Sequence, residues 1–250
     1  MKKILLTTLI TASGLLAIES IEVAKKADAM TSGFGSSSAQ MEMILINASG
    51  EQSIRDMEMK TLEGESGDKS ISTFLSPADV KGTKTLTHEH IDRDDDQWLY
   101  LPALKRVKRI ASSNKSGSFM GSEFSYEDIG NQDYQKFSYR GEAKEVMLDG
   151  VKCYQSERVP NERNSGYTKE VIWVDKENFL VQRIDYYDRK HELLKTAEFS
   201  GHRQIEGVWR VGRIEMKNHQ NDKSTILTWK EDKIKVGLTS KEFNKRVLKN

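Results

Sequence analysis

The sequence has 250 residues, with 39 Lys and Arg against 38 Asp and Glu and a formal net charge of +1. That length allows one large domain or two small ones with a real core, and the balance excludes a dedicated nucleic-acid binder, which would carry a marked basic excess. A single cysteine, Cys153, excludes an intramolecular disulfide.

The chain opens Met1-Lys2-Lys3 and then runs uncharged from Ile4 to Ile18. A basic start before an apolar stretch is the pattern of a secretory signal. The run is too short for a comfortable membrane span, which needs about 20 apolar residues. Cleavage after Ala17 leaves residues 18–250 as a single domain, and with no Cys near the cleavage point to accept a lipid the exported product is expected to be soluble. Ala27-Asp28-Ala29 offers a second small-x-small site, but far from the apolar run.

Glu19 to Met30 has the spacing of a short amphipathic helix, broken by the Gly and Ser of Thr31 to Ser38. From there the period changes to two. Extended segments are expected at Ala39–Asn47, Gln52–Leu62, Lys69–Ser76, Thr83–Ile91, Gln97–Leu101 and Leu104–Ile110. After a loop they resume at Tyr134–Leu148, Val151–Val159, Tyr167–Val174, Phe179–Asp188, Glu192–Arg203, Val208–Asn218 and Ser224–Lys230. Asp149-Gly150 marks a tight hairpin, because both central residues of such a turn need positive φ. Thr239-Ser240-Lys241-Glu242 is a capping-box pattern and predicts a short closing helix.

About a dozen consecutive strands exceed what an open twisted sheet carries without curling. The fold class read here is therefore mainly β: a strongly curved, incompletely closed antiparallel barrel with a short N-terminal helix, a lid segment and a C-terminal helix. A barrel of this kind either fills its lumen with side chains or keeps a cavity for one small ligand.

The densest stretch is Gln97–Ile129. Trp98-Leu99-Tyr100-Leu101 is apolar on both faces of a strand and so is buried on both sides, or lines an interior while packing under a lid. Lys105, Arg106, Lys108 and Arg109 place four cations in five positions. They suit an anionic membrane surface or an edge strand guarded by charge against pairing; the guarded edge is favoured. The flexible loop Ala111–Ser118 leads to Phe119, Met120, Phe124 and Tyr126, which either cover an apolar cavity as a mobile segment or plug the core.

WLYLPALKRVKRI, FMGSEFSYEDI and the earlier Phe74-Leu75-Ser76-Pro77-Ala78-Asp79-Val80-Lys81-Gly82 resemble the bacterial outer-membrane lipoprotein-sorting protein family, relatives of the LolA and LolB carriers. The resemblance covers most of the chain after the signal. It implies a periplasmic, monomeric carrier with an unclosed barrel, a helical lid and a cavity for the acyl chains of lipids or lipoproteins. It also implies an inner-membrane exporter of the RND type as a partner, and neither a cofactor nor catalytic residues. Lipid-binding positions implied by it, together with the local pattern, are Trp98, Tyr100, Phe119, Met120, Phe124 and Tyr126.

Two other readings stay open. His88 and His90, with Asp92, Asp94, Asp95 and Asp96 following, would serve a metal-assisted hydrolase, although the helical HExxH spacing and the calcium-loop pattern are both absent. The third reading is a non-binding accessory of an export complex, its lumen plugged. Cys153, in an alternating strand, reads as a small core residue.

Overall fold

A computed structural model describes residues 17–130 and 132–249. The expected signal peptide falls outside the described residues except for Ala17.

Among the described residues one α-helix, α1 (Ser20–Thr31), precedes the strands. It starts after the extended Glu19, with Glu22 in its first turn where the helix dipole favours a carboxylate. It stops where Ser32 turns extended and Gly33 takes a φ of +89°. Only Ser20 and Val23 of the helix are buried. It lies on the barrel as a cover and adds Val23 to the main core.

Strands β1 (Ser36–Ile46), β2 (Gln52–Leu62), β3 (Lys69–Ser76), β4 (Lys84–His88), β5 (Asp96–Leu101) and β6 (Arg106–Ile110) form an antiparallel meander. The second half comprises β7 (Phe137–Tyr139), β8 (Lys144–Leu148), β9 (Val151–Pro160), β10 (Lys169–Asp175), β11 (Val181–Tyr187) and β12 (Leu193–Ser200). It continues through a separate hairpin of β13 (Arg203–Ile205) and β14 (Val208–Arg210) into β15 (Arg213–Asn218) and β16 (Ser224–Ile234). β1 pairs with β16 along nearly its whole length and joins the halves into one 14-stranded sheet. The sheet runs from β6 at one end to β7 at the other without closing. The open antiparallel barrel is therefore the observed fold.

Asp149 and Gly150 adopt φ values of +46° and +88° between β8 and β9, as a tight hairpin demands. Elsewhere three expected elements differ. Tyr134–Leu148 is not one strand: a 3-10 turn (Tyr134–Lys136) leads into β7, and the chain then bends away before β8. The bend is where the start of the helix docks, with Ser20 N–H donating to Gly141 O and Ala143 N–H to Ile18 O, both at 2.9 Å. Val208–Asn218 is split because the β13–β14 hairpin leaves the sheet at a crossing of Gly201 and Gly212. A Cβ on Gly212 would lie 2.5 Å from the Gly201 carbonyl oxygen, so this crossing needs a residue without a side chain.

The expected closing helix is only a 3-10 turn, Ser240–Phe243, although its capping box is formed: Thr239 N–H donates to the Glu242 carboxylate at 2.8 Å. Phe243 and Leu248 are both buried against the same small core. Five residues apart, they would point about 140° away from each other on an α-helix, and the extended Asn244, between that turn and a second 3-10 turn at Val247–Lys249, lets both reach the sheet.

The sheet is apolar on two sides in its first half. Cross-strand neighbours Met41, Met57 and Phe74 face inward into the main core, where β10–β12 and β15 add Ile172, Ile184, Ala197 and Met216 in register. On the convex side Ile71, Leu86 and Trp98 lie in register and are covered by Phe243 and Leu248 of the tail. His88 bonds to the Phe243 carbonyl at 2.6 Å and Lys84 donates to Val247 O at 3.3 Å. Burying a Phe side chain contributes roughly 1.5–3 kcal/mol. Phe243→Ala is therefore expected to lower stability by about 3–5 kcal/mol and to shift the emission of Trp98 to the red, measured by urea titration with fluorescence. An unchanged midpoint would show that the tail is not a structural strap.

Candidate functional site: a methionine-lined cavity

Between α1 and the inner face of the sheet lies a cavity of about 360 Å³, within the range of sites that hold small ligands. Its floor is rich in methionine: Met41, Met43, Met57, Met59 and Met216 all line it. The pairs Met41/Met43 and Met57/Met59 project inward because they occupy alternate positions of β1 and β2, and Met41 stands opposite Met57. Unbranched thioether side chains adapt to irregular apolar guests. Phe199, Ile214 and Trp229 complete the wall from β12, β15 and β16, and Ala24 and Ala27 of the helix form the roof.

At one end the cavity adjoins a recess of about 270 Å³ bounded by Asp28, Ser32, Glu63, Glu65, Asp68 and Asp133. Glu63 accepts from Gly33 N–H at 2.7 Å and Gly35 N–H at 2.5 Å, fixing the end of the lid helix to the β2–β3 turn. Burial, with Asp133 and Glu63 nearby, raises the pKa of Asp28. The two arginines of the lining are already engaged: Arg158 with the buried Glu170 at 2.7 Å and Arg210 with Asp232 at 2.9 Å. The body of the cavity is thus apolar and its mouth acidic.

The stretch 111–130, which follows β6 in the chain, is pinned against β2, β12, β15 and β16. Phe119 and Phe124 are buried, and the Phe119 N–H donates to Phe124 O at 2.7 Å across a tight hairpin. The buried Lys115 pairs with Glu162 at 2.8 Å. Asp128 accepts from Lys195 Nζ at 2.5 Å, Tyr167 OH at 2.8 Å and Ser125 N–H at 2.6 Å. Glu127 accepts from Gly166 N–H and Ser165 Oγ, yet burial and the adjacent Asp128 raise its pKa to about 7.

Of the six residues expected to meet a ligand, Phe119 and Phe124 line the cavity. Met120 and Tyr126 pack beside it: the Met120 carbonyl accepts from Arg55 at 2.5 Å, and Tyr126 meets Phe119 edge-on at 5.5 Å. Trp98 and Tyr100 belong to the convex side, under the tail. Their strand is buried on both faces, and its inward positions are Gln97 and Leu99. The inward methionines were not singled out in the sequence, although the repeated Met-x-Met at 41/43 and 57/59 is the signal that marks them.

The histidines are held by separate partners. His88 bonds to the tail carbonyl and lies edge-on to Trp98 at 5.1 Å, whereas His90 contacts Asp96 at 3.2 Å and Arg93 at 2.7 Å. Among the described residues no group of three or more His, Cys, Asp or Glu could hold a metal ion. Cys153 is a free, buried thiol. No described helix is long and apolar enough to cross a membrane.

An unclosed antiparallel barrel folded over an apolar cavity beneath a single helix is the LolA-like class of fold. The chain is 46% identical to an outer membrane lipoprotein-sorting protein domain from Vibrio parahaemolyticus, with a TM-score of 0.88 over 92% of this chain and 98% of that one. A DUF1329 family protein from Desulfovibrio piger is 33% identical, with a TM-score of 0.85, covering 91% and 97% of the two chains. A LolA superfamily protein from Nitrosomonas europaea shares the fold at 20% identity, with a TM-score of 0.75 over 92% and 100%. A family model described as an uncharacterized protein matches residues 66–250. No curated protein matches the sequence. The chain belongs to the outer-membrane lipoprotein-sorting protein family.

Proposed function

We propose that the protein is a soluble periplasmic carrier that holds the acyl chains of a lipid or lipoprotein in the methionine-lined cavity, with α1 as the lid. It acts without a cofactor and without catalysis, and an RND-type exporter of the inner membrane is the proposed partner. The observation that carries this reading is the cavity itself: apolar, roofed by a helix with two buried residues, and lined by adaptable side chains. The kinship with a lipoprotein-sorting domain supports it.

Burial of an acyl chain from water contributes about 0.8 kcal/mol per CH₂. A chain that leaves a bilayer was already dry, so the exchange is close to neutral and is governed by access, not affinity. Access is through the helix, because the Phe119–Phe124 hairpin is clamped by buried ion pairs. Native mass spectrometry of protein purified from the periplasm tests the reading. Co-purified lipid or lipoprotein is expected; protein that is always empty would favour the plugged accessory, for which the buried Phe119 and Phe124 are the supporting observation.

Ala27→Trp places an indole in the cavity from the lid and leaves the sheet untouched. Uptake of a fluorescent long-chain acyl probe is expected to fall by about tenfold or more, as for a lost apolar contact surface of 1–3 kcal/mol. Unaltered uptake with an unaltered thermal midpoint would place the ligand elsewhere.

A further inference from the structure

The four cations of β6 and its approach have no part in the cavity. Lys105, Arg106, Lys108 and Arg109 are all exposed, on a strand that ends the sheet. Arg109 pairs with Asp96 at 2.5 Å, but among the described residues no ion pair holds Lys105, Arg106 or Lys108. Just before them, Leu104 closes a 3-10 turn (Pro102–Leu104) and is 54% exposed. From the tail, Lys245 lies 5.0 Å from the ring of Trp98, the cross-strand neighbour of Arg109, on the convex face, whereas Arg106 and Lys108 stand opposite Leu101 and Leu99.

We propose that this edge, Leu104 to Arg109, docks on an anionic lipid bilayer, independently of what the cavity contains. Charge guarding of an edge against pairing accounts for cations on the strand; it does not explain a projecting leucine at their head. The opposite end of the sheet has no comparable run: β7 is Phe137-Ser138-Tyr139, and the Lys144 of β8 is followed by Glu145. The concentration of charge belongs to one edge of a molecule whose net charge is only +1. A bilayer fits better than an acidic protein because the free cations are not locked in fixed forks. Such cations suit a diffuse negative surface, and the leucine at their head supplies an apolar group that enters the interface.

The test is co-flotation of the full chain with vesicles of about 30% phosphatidylglycerol in phosphatidylcholine, against phosphatidylcholine alone, at low and high salt. Binding is expected only to the anionic vesicles, and to be lost at high salt. Each cation near such a surface is worth about a fivefold factor in partitioning, so Arg106→Glu with Lys108→Glu should weaken binding by about 25-fold or more, and Leu104→Asp should weaken it further. Arg106→Gln with Lys108→Gln serves as the milder pair should the reversal disturb folding, judged by the thermal midpoint. No binding to the anionic vesicles overturns the proposal, as does equal binding to neutral ones or binding that survives loss of both cations. Capture by an acidic protein without vesicle binding also overturns it.

Discussion

Lys195→Met is expected to destabilise the fold by about 3–5 kcal/mol, because it leaves Asp128 charged, buried and without its cation. Both side chains are almost completely buried, at 4% and 3% exposure, with Nζ and Oδ2 2.5 Å apart. Lys195 also donates to the Glu123 carbonyl at 3.0 Å, so one ammonium ties β12 to two points of the 119–128 stretch. The carboxylate would retain Tyr167 OH and Ser125 N–H as donors, which is why a shift to the lower end of that range is still consistent. Adding Asp128→Asn to Lys195→Met removes the stranded charge and should recover much of the loss. Urea titrations of wild type, both single variants and the double variant measure the coupling; additive losses would mean that the two groups do not act as a pair.

Glu127, next in the chain, makes stability depend on pH. Its pKa in the folded protein is about 7, against 4.5 ordinarily, because burial and Asp128 disfavour its charge. Below about pH 4.5 both states hold the proton and nothing is lost. Between there and pH 7 the unfolded chain ionises while the folded one keeps its proton, so the folded state binds more protons and stability falls as pH rises. Above pH 7 the penalty is constant, at about 3 kcal/mol. Glu127→Gln should therefore be more stable than wild type at pH 8 by about 3 kcal/mol and close to it at pH 4.5. Thermal melts of the two proteins across this range give the difference directly. A gap that stays the same at both ends would remove Glu127 as the titrating group.

The strands were legible in the sequence where their causes are local. Gln52–Leu62 and Lys69–Ser76 are bounded by turn residues, and the observed strands have those limits. Asp149-Gly150 carries its own conformation, and the basic run at 105–109 is indeed at a sheet edge. What stayed hidden depends on distant partners. The bend after Tyr139 exists because the segment around Ile18 and Ser20 docks there, more than a hundred residues earlier. Trp98 and Tyr100 have the composition of a cavity wall, but alternation alone does not say which face of a strand is concave. Their placement was decided by a tail that brings Phe243 and Leu248 from the other end of the chain. The pinning of Phe119 likewise depends on Glu162, Tyr167 and Lys195, none of which marks itself in the sequence as a partner of the loop.

The pairing of β1 with β16 carries a kinetic consequence. β1 finds β2 within a few residues, but its other flank must wait for Ser224–Ile234, close to the end of the chain. As synthesis proceeds from the N-terminus, a half-barrel of six strands would exist with one long, methionine-bearing margin uncovered until the last strand arrives. Closing such a large loop is slow, and a bare strand margin invites pairing with a neighbouring chain. Assembly of this molecule is therefore most vulnerable until β16 covers that margin, the interval in which a holding factor would matter most.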